Sequence, residues 1–228
     1  MQDFIKENDI IFADTGTSLS GAVQMKFSDN TDFQSQTLWN SAGWATPAVL
    51  GACLAKPQSR VILISGDGAH QQTAIEIGTM LRYGVKPIIV IINNNGYTTG
   101  RFFADSLKDI INDIAQLNYA KFARVFDGDI WATRVSTAED FDKALRVTQI
   151  MNKLCYIEAC VDSLDAPFLT KDTAKKQSLN IPNDTTNAGN NAYNSIQDVV
   201  LTETSSRFEY ETVVHKMFKE EDSAEEKE

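Results

Sequence analysis

The chain has 228 residues, a formal charge of −10 at pH 7 and ordinary apolar (43%) and charged (23%) fractions, enough for one full core plus an appendage. The acidic balance argues against nucleic-acid or anionic-membrane partners, which are met by basic surface, and no apolar run is long enough to span a bilayer. Cys53, Cys155 and Cys160 lie in apolar surroundings without metal-ligand spacing and read as reduced and buried; with no apolar signal core in Met1-Gln2-Asp3-Phe4-Ile5-Lys6, a cytoplasmic protein is expected.

In chain order, Asp9 to Ala13 reads as a first short strand that ends at Asp14-Thr15-Gly16-Thr17-Ser18. Phe33 to Asn40 is polar and irregular, anchored by Leu38-Trp39. Gly43 to Ala55 is small and apolar (Ala45, Ala48, Gly51, Ala52), as needed where a helix packs closely on a sheet. Arg60 to Ser65 forms the second strand. A helix over Gln71 to Tyr83 follows, with Ala74, Ile77, Gly78 and Leu81 on one face. Lys86-Pro87 opens the third strand, and Phe102 to Phe126 reads as mostly helical. Thr133-Arg134-Val135 is a further short strand, Ser136-Thr137-Ala138-Glu139 a capping box for a helix through Ile150, and Leu154 to Val161 the last strand, with Cys155 and Cys160 on opposite faces. This alternation predicts an α/β fold: a doubly wound, mostly parallel sheet with helices on both faces.

Composition shifts after Asp165-Ala166-Pro167. The domain is expected to close at residue 170, followed by a flexible linker over 171–204, rich in Asn, Ser and Thr across 178–197. Residues 169–228 hold 7 Lys/Arg and 12 Asp/Glu, half of the net charge. In the tail, 205–228, Tyr210, Val213, Val214, Met217 and Phe218 fall on one helical stripe ahead of an acidic end. The stripe either docks on its own domain or binds a partner.

Chemistry concentrates in two turns. Gly66-Asp67-Gly68-Ala69 follows Val61-Ile62-Leu63-Ile64, and Asn93-Asn94-Asn95-Gly96-Tyr97 follows Ile88-Ile89-Val90-Ile91-Ile92. A carboxylate and a carboxamide thus stand at the carboxyl ends of two buried strands, where open α/β sheets bind ligands. Either turn alone is weak evidence; their joint position carries the argument. An Asp oxygen, an Asn oxygen and a backbone carbonyl in a glycine turn suit Mg²⁺, which usually keeps phosphate among its ligands. A dinucleotide site is disfavoured because Ala69-His70-Gln71 supplies no third glycine, and because Asp67 would repel a pyrophosphate with no cation between them. His70 reads either as a catalytic group or, more simply, as a surface or helix-start histidine. His215 reads as structural, and Arg82, Lys86 and Arg101 as solvated.

The two turns together resemble the signature of thiamine diphosphate enzymes. Over residues 4–170, the stretches Ala13 to Ser18, Leu38-Trp39 with Gly43, Gly66 to Thr73, Gly84 to Thr98, Asn112-Asp113-Ile114 with Asn118-Tyr119, and Asp165-Ala166-Pro167 are similar, in order, to the carboxy-terminal domain of the pyruvate and indolepyruvate decarboxylases. The resemblance implies that Asp67 and Asn94 bind Mg²⁺ by side chain and Gly96 by its carbonyl. It implies that Gly68 and Ala69 offer N–H groups to the diphosphate, that Thr17 lies beside the aminopyrimidine, and that the Asn40 carbonyl receives its amino group. Ser41, Ala42, Gly66 and Tyr97 complete the implied cofactor site. The implied activity is that of a carboxy-lyase: loss of CO₂ from a 2-oxo acid, with the cofactor supplying the carbanion chemistry. The implied partner is a pyrimidine-binding domain on another chain, or a second copy of this one.

The departures from the family pattern are specific. Ala42 stands where these decarboxylases carry a large aliphatic residue that bends the cofactor. Gly100 stands where they carry a glutamate implicated in proton transfer, so no catalytic residue is assigned. Ala104-Asp105 replaces a His-Gly pair, and no pyrimidine-binding domain fits upstream of Phe4. A non-catalytic cofactor-binding or regulatory protein and a truncated remnant are therefore alternatives. Asn40, Ala42 and Trp44 are expected beside an apolar face that normally meets a partner.

Overall fold

Strand β3 (Val61–Gly66) is buried at Val61 through Ser65, as only a central parallel strand covered on both faces can be. In the computed structural model, which describes residues 1–103 and 110–180 with side chains through residue 175, it lies inside a six-stranded sheet. The others are β1 (Ile10–Ala13), β2 (Asp32–Gln34), β4 (Ile88–Asn93), β5 (Ile130–Val135) and β6 (Leu154–Cys160). Their order is β2-β1-β3-β4-β6-β5, and all pairings are parallel, with Ile10 opposite Val61, Ile62 opposite Ile88 and Ile88 opposite Cys155. The chain order reverses between β1 and β3, so the crevice above their carboxyl ends is the topological switch point.

Alternate residues of each strand feed separate cores. Phe12, Leu63, Ile89 and Tyr156 pack with helices α2 (Ala45–Ala55), α4 (Glu76–Arg82) and α6 (Tyr119–Ala123). Ile11, Ile62, Val90 and Ile157 pack with α1 (Thr17–Ala22) and α7 (Ala138–Thr148). This is the expected doubly wound arrangement.

Several boundaries differ from expectation. The segment read as irregular contains β2, a three-residue polar edge strand too short to show alternation. The helix expected over Gln71 to Tyr83 starts at Asp67 and is interrupted: α3 (Asp67–Gln71) and α4 are joined by turns over 72–75. The stretch expected to be mostly helical holds α5 (Thr98–Phe103), a 3-10 turn (Ile110–Asn112) and the five residues of α6, whose start is capped by Asn118 accepting from Lys121 N at 2.9 Å. β5 is twice the predicted length. The capping box is shifted by one residue: Thr137 accepts from Asp140 N at 3.1 Å and donates to Asp140 Oδ2 at 2.9 Å.

Helix α8 (Phe168–Asn180) passes the expected domain edge at 170, so residues 171–180 of the anticipated linker are helical; the helix packs toward α1 and α5. The remainder of the linker, to 204, and the tail, 205–228, lie outside the described residues. Cys53 and Cys155 are buried, while Cys160 is half-exposed, because β6 ends there; all three are free thiols. Among the described residues, no helix is long and apolar enough to cross a membrane.

Candidate functional site

Asp67 is the first residue of α3 and is fully buried at the carboxyl end of β3. Its Oδ1 accepts from Gly68 N at 2.8 Å and its Oδ2 from Gly96 N at 2.9 Å, so one carboxylate ties the two motif turns together. Burial pushes its pKa up to about 6, against the backbone N–H groups of Gly68, Gly96 and Asn95 and the nearby Arg101 guanidinium, which pull it down.

The second turn is shaped by two left-handed residues, Asn95 (φ 61°) and Gly96 (φ 131°). Asn93 anchors it from below: its Nδ2 donates to Glu158 Oε1 at 2.8 Å, and Glu158 Oε2 accepts from Ala120 N at 3.0 Å. The amide of buried Asn94 finds hydrogen-bond partners at both ends only with its nitrogen inward. With nitrogen inward it donates to Asp67 Oδ1 at 3.0 Å and Gly96 O at 2.9 Å, while its oxygen accepts from Thr98 Oγ1 at 2.9 Å. With oxygen inward, the same two separations would lie between acceptors, an arrangement that a bound cation would relieve. Adjacent oxygens in an octahedron with metal–oxygen distances of ~2.0–2.1 Å stand about 2.8–3.0 Å apart. Among the described residues, no three His, Cys, Asp or Glu side chains form a metal cluster. The donor set that could hold a divalent cation is one carboxylate, one carboxamide and one carbonyl, a set of hard oxygens.

Of the other anticipated residues, Thr17 stands beside Asn94, while Asn40 to Ala42 lie in the loop tied to the end of β1. Thr17 Oγ1 lies 3.5 Å from Asn94 Nδ2. Asn40 has φ 48° and accepts from Thr15 Oγ1 at 3.1 Å, and it is followed by exposed Ser41 and half-buried Ala42. This loop is pinned by a residue whose role the sequence did not suggest. Buried Asp14 accepts from Gly43 N (3.1 Å), Thr15 N (3.2 Å) and Ser65 Oγ (3.1 Å), bridging β1, β3 and the loop; burial raises its pKa. Thr73 Oγ1 adds a bond to Gly43 O at 2.7 Å. The Tyr97 ring lies across the start of α3, 2.5 Å from where a Cβ on Gly68 would be. Of the two N–H groups expected to face a diphosphate, that of Gly68 is engaged by Asp67, and Ala69 is buried. Gly66 has open space around it. Trp44 leans inward on Phe12, with ring centroids 5.9 Å apart; the exposed apolar groups beside Asn40 are instead Leu38 and Trp39.

Three expectations are corrected. His70 is neither on the surface nor placed for catalysis: it is fully buried, its Nδ1 is 3.0 Å from Thr46 Oγ1, and its ring packs near Tyr119 and Tyr156. Desolvation lowers its pKa to about 3, which keeps it neutral. Arg101 is buried rather than solvated, because the backbone carbonyls of Asn94 and Asn95 accept from its guanidinium. Gly100 is not merely a missing acid: a Cβ there would lie 2.1 Å from Asn112 Oδ1, so a carboxamide fills that space. Gly100→Glu therefore restores no acid to the site. It should displace the 110–112 turn at a cost of about 1–3 kcal/mol, read as lowered thermal stability; an unchanged melting curve would refute this. Ala104 and Asp105 lie outside the described residues.

The model of the thiamine pyrophosphate enzyme C-terminal TPP binding domain (thiamine pyrophosphate being thiamine diphosphate) matches residues 14–159. The chain is 37% identical over 172 residues to a pyruvate decarboxylase of Kluyveromyces lactis, covering 72% of this chain and 30% of that one. It is 37% identical over 180 residues to pyruvate decarboxylase isozyme 1 of Saccharomyces cerevisiae, covering 76% and 32%. To an alpha-keto-acid decarboxylase of Mycobacterium avium it is 33% identical over 171 residues, covering 74% and 30%. A solved thiamine diphosphate-dependent 4-hydroxybenzoylformate decarboxylase of Rhodococcus jostii superposes with a TM-score of 0.63 at 25% identity, covering 71% of this chain and 31% of that one. These matches span 30–32% of the length of the curated relatives.

Proposed function

The chain belongs to the thiamine pyrophosphate enzymes, through their C-terminal TPP binding domain, and on that footing we propose that it holds thiamine diphosphate through Mg²⁺ clamped by Asp67, Asn94 and the Gly96 carbonyl, and serves non-oxidative decarboxylation of a 2-oxo acid. The observation that supports this is that one end of the Asn94 amide stands 3.0 Å from Asp67 Oδ1 and 2.9 Å from Gly96 O, so turning its oxygen inward would present three oxygens from two adjacent strand ends. When bound, the cofactor supplies the carbanion chemistry. The chain's own residues orient it: Asp67 supplies the charge for the metal, and the Asn40–Ala42 loop, held by Asp14, borders the site with Thr17. A pyrimidine-binding domain on another chain completes the pocket, or a second copy of this chain covers its mouth. Exposed Leu38 and Trp39 beside Asn40 favour such an interface. The free thiols accord with a cytoplasmic location.

One observation favours a second reading, a cofactor-binding protein without turnover. The space at Gly100 is filled by Asn112, and an amide moves no proton at neutral pH. Calorimetry with thiamine diphosphate, with and without Mg²⁺, combined with a pyruvate decarboxylation assay, separates the readings. Mg²⁺-dependent binding, strengthened by a pyrimidine-domain partner, is expected, with no enzyme-like turnover by the isolated chain. Equal binding with and without the metal would refute the clamp.

The acidity of Asp67 sets a pH dependence. Its pKa is raised from 3.8 to about 6, so below about pH 6 protons compete with the cation, and Mg²⁺ affinity should fall about tenfold per pH unit. In the metal-free domain the sign reverses: the native state holds the extra proton. This stabilisation is full below pH 3.8 and lost as pH rises through about 6. Thermal melts between pH 4 and 7, with and without Mg²⁺, should show opposite slopes from this group; parallel slopes would contradict the assignment.

A further inference from the structure

We propose that Arg101 is the positioning residue of the cation clamp: its buried guanidinium holds the 94–96 turn in the shape that directs the Asn94 side chain and the Gly96 carbonyl toward Asp67. This inference rests on the metal reading of those three residues and adds a residue that is not itself a ligand.

Arg101 comes from α5, one turn beyond the loop it holds, and is 5% exposed. Nη1 donates to Asn94 O at 3.3 Å and Ser163 O at 3.4 Å. Nη2 donates to Asn95 O at 2.7 Å, Asn112 O at 3.4 Å and Asp113 Oδ1 at 2.8 Å. One planar fork thus gathers the carbonyls of two consecutive residues in the motif turn, which draws them away from the clamp. The next carbonyl, of Gly96, faces the Asn94 amide at 2.9 Å and accepts from Thr98 N at 3.1 Å, while Gly96 N donates to Asp67 Oδ2 at 2.9 Å. Asn95 and Gly96, both at positive φ, need an external tether to stay so arranged. The same fork stitches the 110–113 segment and the chain after β6 onto the turn.

Stability alone does not account for this placement. Among the described residues the one ion-pair partner of this buried cation, Asp113, is largely exposed, and Asp67 attracts it only through space, so the pair recovers little of its desolvation cost and an apolar side chain of similar size would fill the space more cheaply. What an apolar group lacks, and lysine lacks too, is a rigid array of donors matched to several carbonyls at fixed angles. Thr98 supports the same arrangement: with the Asn94 oxygen turned toward Asp67, the one hydroxyl proton of Thr98 goes to Ser163 O at 2.8 Å, the carbonyl that Arg101 also reaches.

The test is Mn²⁺ affinity in the presence of thiamine diphosphate, read by paramagnetic resonance at a temperature where circular dichroism shows every variant folded. Arg101→Met and Arg101→Lys should each bind Mn²⁺ ten- to a hundredfold more weakly than wild type, the usual effect of removing a group that orients metal ligands. Arg60→Met, which removes a half-buried guanidinium from Asp9 at the opposite end of the sheet, should lose stability with Mn²⁺ affinity unchanged. Wild-type affinity in folded Arg101→Met overturns the proposal while the clamp stands. Equal weakening in Arg60→Met also overturns it, by reducing the effect to general stability. If wild type binds no better than Asp67→Ala, clamp and positioning role fall together.

Discussion

Asp67→Ala should abolish Mg²⁺-dependent binding of thiamine diphosphate, with affinity falling at least about a hundredfold, or roughly 2.8 kcal/mol. The carboxylate is the only formal negative charge among the proposed ligands, and it also accepts from Gly68 N and Gly96 N, so alanine strips the cation of its anion and both turns of their shared anchor. Asp67→Asn separates these roles. Its oxygen can keep one of the two hydrogen bonds without the charge, so it should fold close to wild type and still bind the cofactor at least tenfold more weakly. Titration calorimetry at pH 7.5, above the raised pKa of Asp67, gives the cleanest comparison. Undiminished metal-dependent binding by Asp67→Ala would remove the basis for the clamp.

Gly96→Ala should cost about 3 kcal/mol or more, a fall in Tm of roughly 6–12 °C for a domain of this size. Two penalties coincide. At φ 131° the backbone lies where side chains are strained, and the new Cβ would sit 2.2 Å from Asn112 O and 2.8 Å from Arg101 Nη2. Neither neighbour yields easily: that carbonyl accepts from Tyr97 N at 2.8 Å, and the guanidinium is held by four other acceptors. Gly51→Ala is the contrasting control. It adds a Cβ to the exposed side of α2 with nothing within 4 Å and should stabilise by about 0.5–1 kcal/mol. A Gly96→Ala variant that melts within a degree of wild type would show that the turn is softer than its contacts imply.

The strand ends are legible in the sequence because Val61–Ile64 and Ile88–Ile92 are uninterrupted apolar runs that stop just before Ser65-Gly66 and Asn93, which marks Asp67 and Asn94 as strand-end residues. Local pattern failed where burial depends on distant chain. Arg101 reads as a surface charge, yet the carbonyls that enclose it come from residues 94, 95, 112 and 163. His70 reads as polar, yet Thr46, Tyr119 and Tyr156 converge on it from three elements. The stretch after Phe102 reads as helix because its apolar residues recur, but Ile110 and Ile111 are 83% and 76% exposed, so their hydrophobicity was no evidence of a core-facing stripe. β2 is too short and too polar to carry a period.

The sheet order also fixes when this chain can fold during synthesis. β6 is made last of the strands, yet it sits between β4 and β5, and β5 has no other neighbour. Until residue 160 has left the ribosome, β4 presents a bare apolar edge and β5 remains unpaired, while β1 has already waited for β3. Such late, non-local closure makes folding slow and leaves nascent edges open to wrong pairing. Nascent chains released before β6 should therefore aggregate or engage chaperones, whereas those that include Cys160 can seal the sheet.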